Sequence, residues 1–198
     1  MSKAEKTKQF IIEKSSVHFN KKGYLGTSLS EITDITGLTK GSIYGNFENK
    51  DDLAQAAYKF NAKKIGARLL QVSEQCTGGA DEKLTAILDY YRNNWRELMQ
   101  HGGCPLLNAA VEVDDTFPKL IPYVRKSFNE FSKMLESIIF LGITEKRFRP
   151  EIESEKFAAT IIMLIEGGIL LSQTLDNKDY LNIALDRVEF IIQNEMLV

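Results

Sequence analysis

Apolar residues recur along this chain at intervals of three and four, and runs alternating every second residue are scarce. That rhythm predicts an all-α protein. The first helix is expected over 7–22, with Ile11, Ile12, Ser15, His18 and Phe19 facing inward and Gly23 ending it in a left-handed conformation. Ser28 then opens a second helix with Glu31 three residues on, the spacing of a capping box, and Gly37 stops it. Thr39 caps a third, short helix that ends near Phe47. Asn49 caps a long fourth, reaching about residue 74, whose first turn carries Asp51 and Asp52 where a helix dipole favours acids.

A break at Thr77-Gly78-Gly79 leads to a fifth helix with Leu84, Leu88, Tyr91, Trp95 and Leu98 on one stripe. Gly102-Gly103 breaks the chain again before a short helix from Pro105. Pro118 and Pro122 mark the entry to a long helix with Leu120, Val124, Phe128, Phe131, Leu135 and Ile138 on its apolar side. The stretch 142–150 reads as a loop, and two last helices are expected over 154–175 and 178–196. About nine helices result.

At 198 residues, 43% hydrophobic and 26% charged, the chain is long enough and apolar enough to bury a core. The net charge of −2 divides unevenly: residues 1–50 carry +3, all from lysine, and the remainder −5. A basic head on an acidic body agrees with a DNA-facing start but does not require it. The two cysteines, Cys76 and Cys104, and the two histidines, His18 and His101, show no metal-ligand spacing, so no metal site or cofactor is expected. The polar start and the interruption of the apolar stretch 157–171 by Glu166 give no signal peptide and no membrane span, and the expected location is the cytoplasm.

The informative segment is Thr27–Lys50, TSLSEITDITGLTKGSIYGNFENK. Two short helices meet at Gly37, and the second exposes small and polar positions: Lys40, Ser42, Gly45 and Asn46. Ile43 and Phe47, four apart, face inward against Ile32 and Ile35. A helix of this kind can enter the major groove of duplex DNA.

From Ile11 to Leu53 the chain resembles the TetR/AcrR family of transcriptional regulators. The resemblance rests on Phe19, Gly23-Tyr24, Thr27-Ser28, Ile32-Thr33, Gly37-Leu38-Thr39, Lys40-Gly41-Ser42-Ile43-Tyr44, Phe47 and Lys50. Thr33 stands where the family usually has Ala, His18 where an apolar residue is common, and Gly45 where a larger, DNA-contacting residue is frequent. The resemblance implies base contacts from Lys40, Ser42 and Asn46, and phosphate contacts from Thr27, Ser28, Thr39, Tyr44 and Lys50. It further implies an N-terminal three-helix DNA-binding domain over 5–65, its helix-turn-helix at about 28–47, and a C-terminal ligand-binding and dimerisation domain over 66–198. The protein so implied is a homodimeric repressor, released from a palindromic operator by an unknown small-molecule inducer.

In that C-terminal part the penultimate helix is apolar on two sides, which calls for both a core and a second partner. The dimer interface is expected at Leu164, Gly168 and Leu171, with Leu185, Val188 and Ile192 from the last helix, and Gly167-Gly168 would permit close approach. The resemblance implies a ligand pocket, for which Tyr91, Trp95, Met99, Leu107, Tyr123, Phe128, Phe131 and Glu166 are the candidates. For each apolar member plain core is the competing reading. Glu166 either faces the pocket or hydrogen-bonds within the dimer. Cys104, at a predicted helix start, is either inert or redox-sensitive, and His18 reads as a core residue.

An enzyme is not expected, because no Ser/His/Asp set, phosphate-cradling loop or metal cluster is present. The remaining rival is an all-α ligand-binding or interaction module without DNA activity.

Overall fold

The computed structural model describes residues 2–198, and the side chains of all of these except 114–116. The helices are α1 Lys3–Lys22, α2 Leu29–Thr36, α3 Lys40–Tyr44, α4 Lys50–Gln75, α5 Ala80–Asn93, α6 Trp95–Gln100, α7 Pro105–Thr116, α8 Ile121–Thr144, α9 Ser154–Thr174 and α10 Asp179–Ile191. The expected helices are present. The fifth is interrupted at Asn94, which leaves the helical region with φ −105° and ψ 15°, so Trp95 begins α6 instead of continuing α5. The first helix starts earlier than predicted, because Ser2 and Glu5 form a reciprocal capping box. The loop predicted from residue 142 begins later, because α8 continues to Thr144.

The chain folds as two compact units, Met1–Ile65 with His101–Arg125, and Gly66–Gln100 with Lys126–Val198. A single boundary near residue 65 was the expectation. The segment carrying α7 crosses back, because its polar side chains find their partners on α1 and on the turn after it.

The first unit is built on Ile11 and Phe19 of α1, Ile32 of α2, Ile43 of α3, Phe47, and Leu53 and Tyr58 of α4, all buried. Phe19 stacks on Tyr24 with ring centroids 5.7 Å apart, and Tyr24 meets Tyr58 edge-on at 6.3 Å. In the second unit α9 packs along α10. Ala158, Ile161, Ile165, Gly168, Ile169 and Ser172 form the inward face of α9. Leu181, Leu185, Val188 and Ile192 meet it from α10 and the turn that follows. A Cβ on Gly168 would sit 2.8 Å from Ala184 Cβ and 3.1 Å from Leu181 Cα, so glycine is what lets these two helices approach. Arg92 ties α5 to α10, its Nη2 donating to Asp186 at 2.7 Å and to Glu189 at 2.8 Å.

The residues expected at a dimer face divide in this packing. Gly168, Leu185, Val188 and Ile192 are buried within one chain, Gly168 against Ala184 and Leu181 of α10. Of the remaining candidates Leu171 is exposed and Leu164 half-buried. The apolar side chains that point outward are Met163 (66% exposed), Leu170, Leu171 and Leu175 from α9 and its end, and Ile183 (65%) and Phe190 (49%) from α10. Gly167, on the outward side of α9, has open space where a Cβ would stand. By length and composition alone α9 could cross a membrane, with a mean hydropathy of 1.5. Its apolarity is otherwise accounted for, because one side fills the seam with α10 and the other carries this outward stripe.

Candidate nucleic-acid interface

The head of the first unit presents α2 and α3 as a pair. Ser28 and Glu31 start α2: the Glu31 N–H donates to Ser28 Oγ at 3.3 Å and the Ser28 N–H to Glu31 Oε2 at 2.8 Å. Gly37 ends α2 at φ +68°, a left-handed conformation that a side chain resists, and this sets the turn into α3. Thr39 then caps α3, its Oγ1 accepting the Ser42 N–H at 3.2 Å. Ile43 and Phe47 are buried, as their spacing predicted, so the opposite side of α3 faces outward.

Of the expected base-reading residues, Lys40 is exposed, and Ser42 and Asn46 are half-buried on the same outward side. The Asn46 Nδ2 donates one of its two protons to Ser42 O at 2.9 Å, which leaves the other for a base edge. Gly45, exposed, leaves a gap between them, and a Cβ there would meet only Gly41 O, at 3.3 Å, and Ser42 O, at 3.7 Å, both on its own helix.

The expected phosphate contacts divide. Thr39 is exposed and uses its hydroxyl oxygen as the cap acceptor, which leaves the hydroxyl proton for an outside acceptor. Tyr44 is 49% exposed. Ser28 is exposed, but its hydroxyl donates to Glu31 Oε2 at 2.9 Å. Thr27 and Lys50 depart from the expectation. Thr27 is buried and its hydroxyl donates to Gly23 O at 2.7 Å. The Lys50 ammonium donates to three carbonyls of the α1–α2 turn: Tyr24 at 3.2 Å, Leu25 at 3.1 Å and Thr27 at 3.0 Å. Its three protons hold the turn together instead of reaching outward.

Glu31 also accepts from Lys22 Nζ and stands 3.8 Å from His18 Nε2. His18 is thus half-buried at the rim of the head, where the sequence suggested a core residue. The hydrogen bond from Lys22, followed by those from the Ser28 N–H and hydroxyl, lowers the Glu31 pKa to about 2. The folded value lies below the ordinary 4.5, so the contribution of this group to stability is complete above about pH 4.5 and fades as pH falls towards 2. A carbon-13 titration of the Glu31 carboxyl is expected to show its midpoint near 2; a midpoint near 4.5 would remove this cluster from the account of α2.

The anticipated pocket residues separate. Leu107 and Tyr123 lie in the first unit, where Tyr123 carries Lys59 Nζ over its ring at 3.9 Å. Tyr91, Trp95, Met99, Phe128, Phe131 and Glu166 lie in the second; of these Tyr91, Phe131 and Glu166 are buried, and Trp95, Met99 and Phe128 half-buried. An open groove of about 450 Å³ in the second unit is lined by Leu70, Ser73, Lys83, Met134, Ile138 and Leu141 among others, and by none of the anticipated residues. Cys104 is buried as the residue preceding α7, with no side-chain cap bond.

A solvent-facing second helix behind a glycine turn, on a head with its own core, is the arrangement of a helix-turn-helix DNA-binding protein. Residues 11–57 match the family model described as bacterial regulatory proteins, tetR family, and residues 80–188 match the tetracyclin repressor-like C-terminal domain. The transcriptional regulator of the TetR family from Cytophaga hutchinsonii is 38% identical, with a TM-score of 0.94 over 100% of this chain and 98% of its own. A TetR transcriptional regulator from Chloroflexus aurantiacus J-10-FL is 32% identical, with a TM-score of 0.93 over 100% of both chains. The HTH-type transcriptional regulator LmrA of Bacillus subtilis is 28% identical over 174 residues, 86% of this chain and 88% of its own. The chain belongs to the TetR/AcrR family and is a DNA-binding transcriptional regulator.

Proposed function

We propose that two copies of the chain bind a palindromic operator, each placing α3 in the major groove, and that a small molecule held by the C-terminal part releases the complex. Lys40, Ser42 and Asn46 read base edges; Thr39 and Tyr44 hold phosphates, and Ser28 joins them when its hydroxyl turns from Glu31. The observation that carries this reading is the two-sidedness of α3: Ile43 and Phe47 are buried while Lys40, Tyr44 and Gly45 are exposed. A two-fold pair of such heads spaces two α3 helices about one turn of DNA apart, roughly 34–36 Å. The exposed apolar side chains Met163, Leu170, Leu171, Ile183 and Phe190 support α9 and α10 as the pairing face, since several large apolar groups exposed on two neighbouring helices call for a partner. Regulation by repression in the cytoplasm follows the habit of the family.

Selection of bound duplexes from a random library tests the reading. The protein is expected to enrich a palindrome. Lys40→Ala or Asn46→Ala should change the preferred bases, at a cost of about 1–3 kcal/mol of discrimination. Tyr44→Phe should weaken all sequences about equally, since a phosphate contact carries no sequence information. Failure of the unsubstituted protein to enrich any sequence would favour a binding module without DNA activity, and an unchanged preference in both base-reading variants would overturn the roles assigned to them.

A further inference from the structure

The turn between α1 and α2 is held from two sides. The Lys50 ammonium takes its carbonyls, as described. Glu112, on α7, takes its N–H groups: the Tyr24 N–H donates to Oε2 at 2.8 Å and the Leu25 N–H to Oε1 at 2.7 Å. These N–H groups lie past the end of α1 and need partners from outside it. Gly23, at φ +89°, makes the space: a Cβ there would stand 2.9 Å from Glu112 Oε1. One turn earlier on the same face of α7, Asn108 Nδ2 lies within reach of Asn20 O at 3.1 Å and Gly102 O at 2.6 Å. Asn20 Nδ2 in turn donates to His101 O at 2.7 Å and Gly103 O at 3.2 Å. Two polar attachments, four residues apart on α7, therefore seat this helix against α1 and the turn that launches α2.

We infer that Glu112 is a positioning residue for operator binding: by holding the Tyr24 and Leu25 N–H groups it sets the direction in which α2, and with it α3, leaves α1. This rests on the DNA-binding reading above and adds to it a residue that touches no DNA. The helix that carries Glu112 lies in the stretch matching the C-terminal family domain, yet packs with the head. Seating of α7 and operator affinity are then one coupled equilibrium. Whatever draws α7 off its seat weakens DNA binding, and DNA binding tightens the seat.

The test uses the full chain with Glu112→Gln. The amide matches the carboxylate in size but turns an NH₂ towards one of the two donors. Operator affinity is expected to fall about tenfold, and hydrogen exchange at the Tyr24 and Leu25 amides to accelerate. Affinity for non-operator duplex should stay within roughly twofold, since no phosphate contact is lost. Asp81→Asn provides the control for plain destabilisation, because it removes the charge and one of the two acceptors that Arg147 Nε and Nη2 reach at 2.6 and 3.1 Å in the other unit; it should lower the melting temperature and leave operator affinity unchanged. Faster exchange in Glu112→Gln with unchanged operator affinity would overturn the positioning role, and unchanged exchange would overturn the clamp itself. If the unsubstituted protein prefers no duplex, the DNA-binding reading fails by itself, and the exchange rates still decide whether Glu112 holds the turn.

Discussion

Ile183→Glu is expected to elute at the mass of a single chain and the unsubstituted protein at the mass of two, and the variant is expected to lose operator affinity by a factor of about 10²–10⁴. Ile183 is 65% exposed in the isolated chain, so the substitution costs the fold little. In a two-fold pair the cost is different. An isologous interface brings the same patch of each copy together, so two new carboxylates would be desolvated among Met163, Leu170 and Phe190 and their counterparts. The affinity falls because a paired molecule binds its second half-site as an intramolecular step, and a single chain has no such step. Size-exclusion with light scattering and an operator titration measure both effects. A variant that stays paired would move the interface away from the outward stripe of α9 and α10.

Lys50→Met should separate holding the turn from neutralising DNA. Methionine keeps most of the aliphatic stem and removes three charge-assisted hydrogen bonds to Tyr24, Leu25 and Thr27. A hydrogen bond to a charged group is worth about 1.5–3 kcal/mol, and Lys50 is half-buried, so solvent partly replaces what is lost; we expect a destabilisation of roughly 2 kcal/mol. Operator affinity should fall with it, because the turn directs α2 and α3. The slope of log affinity against log salt should not change, since the ammonium displaces no counterion from the duplex. Lys40→Ala should lower that slope if Lys40 also approaches phosphates. A slope reduced by about one in Lys50→Met, with stability unchanged, would return Lys50 to the phosphate contacts that the family resemblance implied.

The reading of the head from sequence was accurate where the information is local. A capping box at Ser28 and Glu31, a left-handed glycine at Gly37 and a cap at Thr39 are set within a few residues of chain, and each is present. The four-residue spacing of Ile43 and Phe47 gave the buried side of α3, and so the exposed one. Thr27 and Lys50 were expected at phosphates, and in the structure both side chains bond carbonyls of the preceding turn, a placement that no spacing distinguishes from facing a phosphate. The attachments that Glu112 and Asn108 make to α1 and its turn could not be read from chain order: Leu25 and Asn20 lie 87 and 88 residues away.

The body shows the same division. The sequence by itself determined that α9 is apolar around more than one side, and therefore that it needs both an internal neighbour and an external one. It did not determine which side meets which. Leu185, Val188 and Ile192 were expected outside and lie within the seam, while Met163, Ile183 and Phe190 face out. Periodicity registers that a face is apolar, whereas burial depends on which neighbour arrives, and here the closeness of α10 to Gly168 decided it. What the sequence settled was the capping and turn of α2 and α3 and the buried spacing of Ile43 and Phe47, which are held by bonds and contacts within a turn or two of helix; what tertiary structure decided was how side chains meet across the fold, because those contacts depend on distances in space that chain order does not encode.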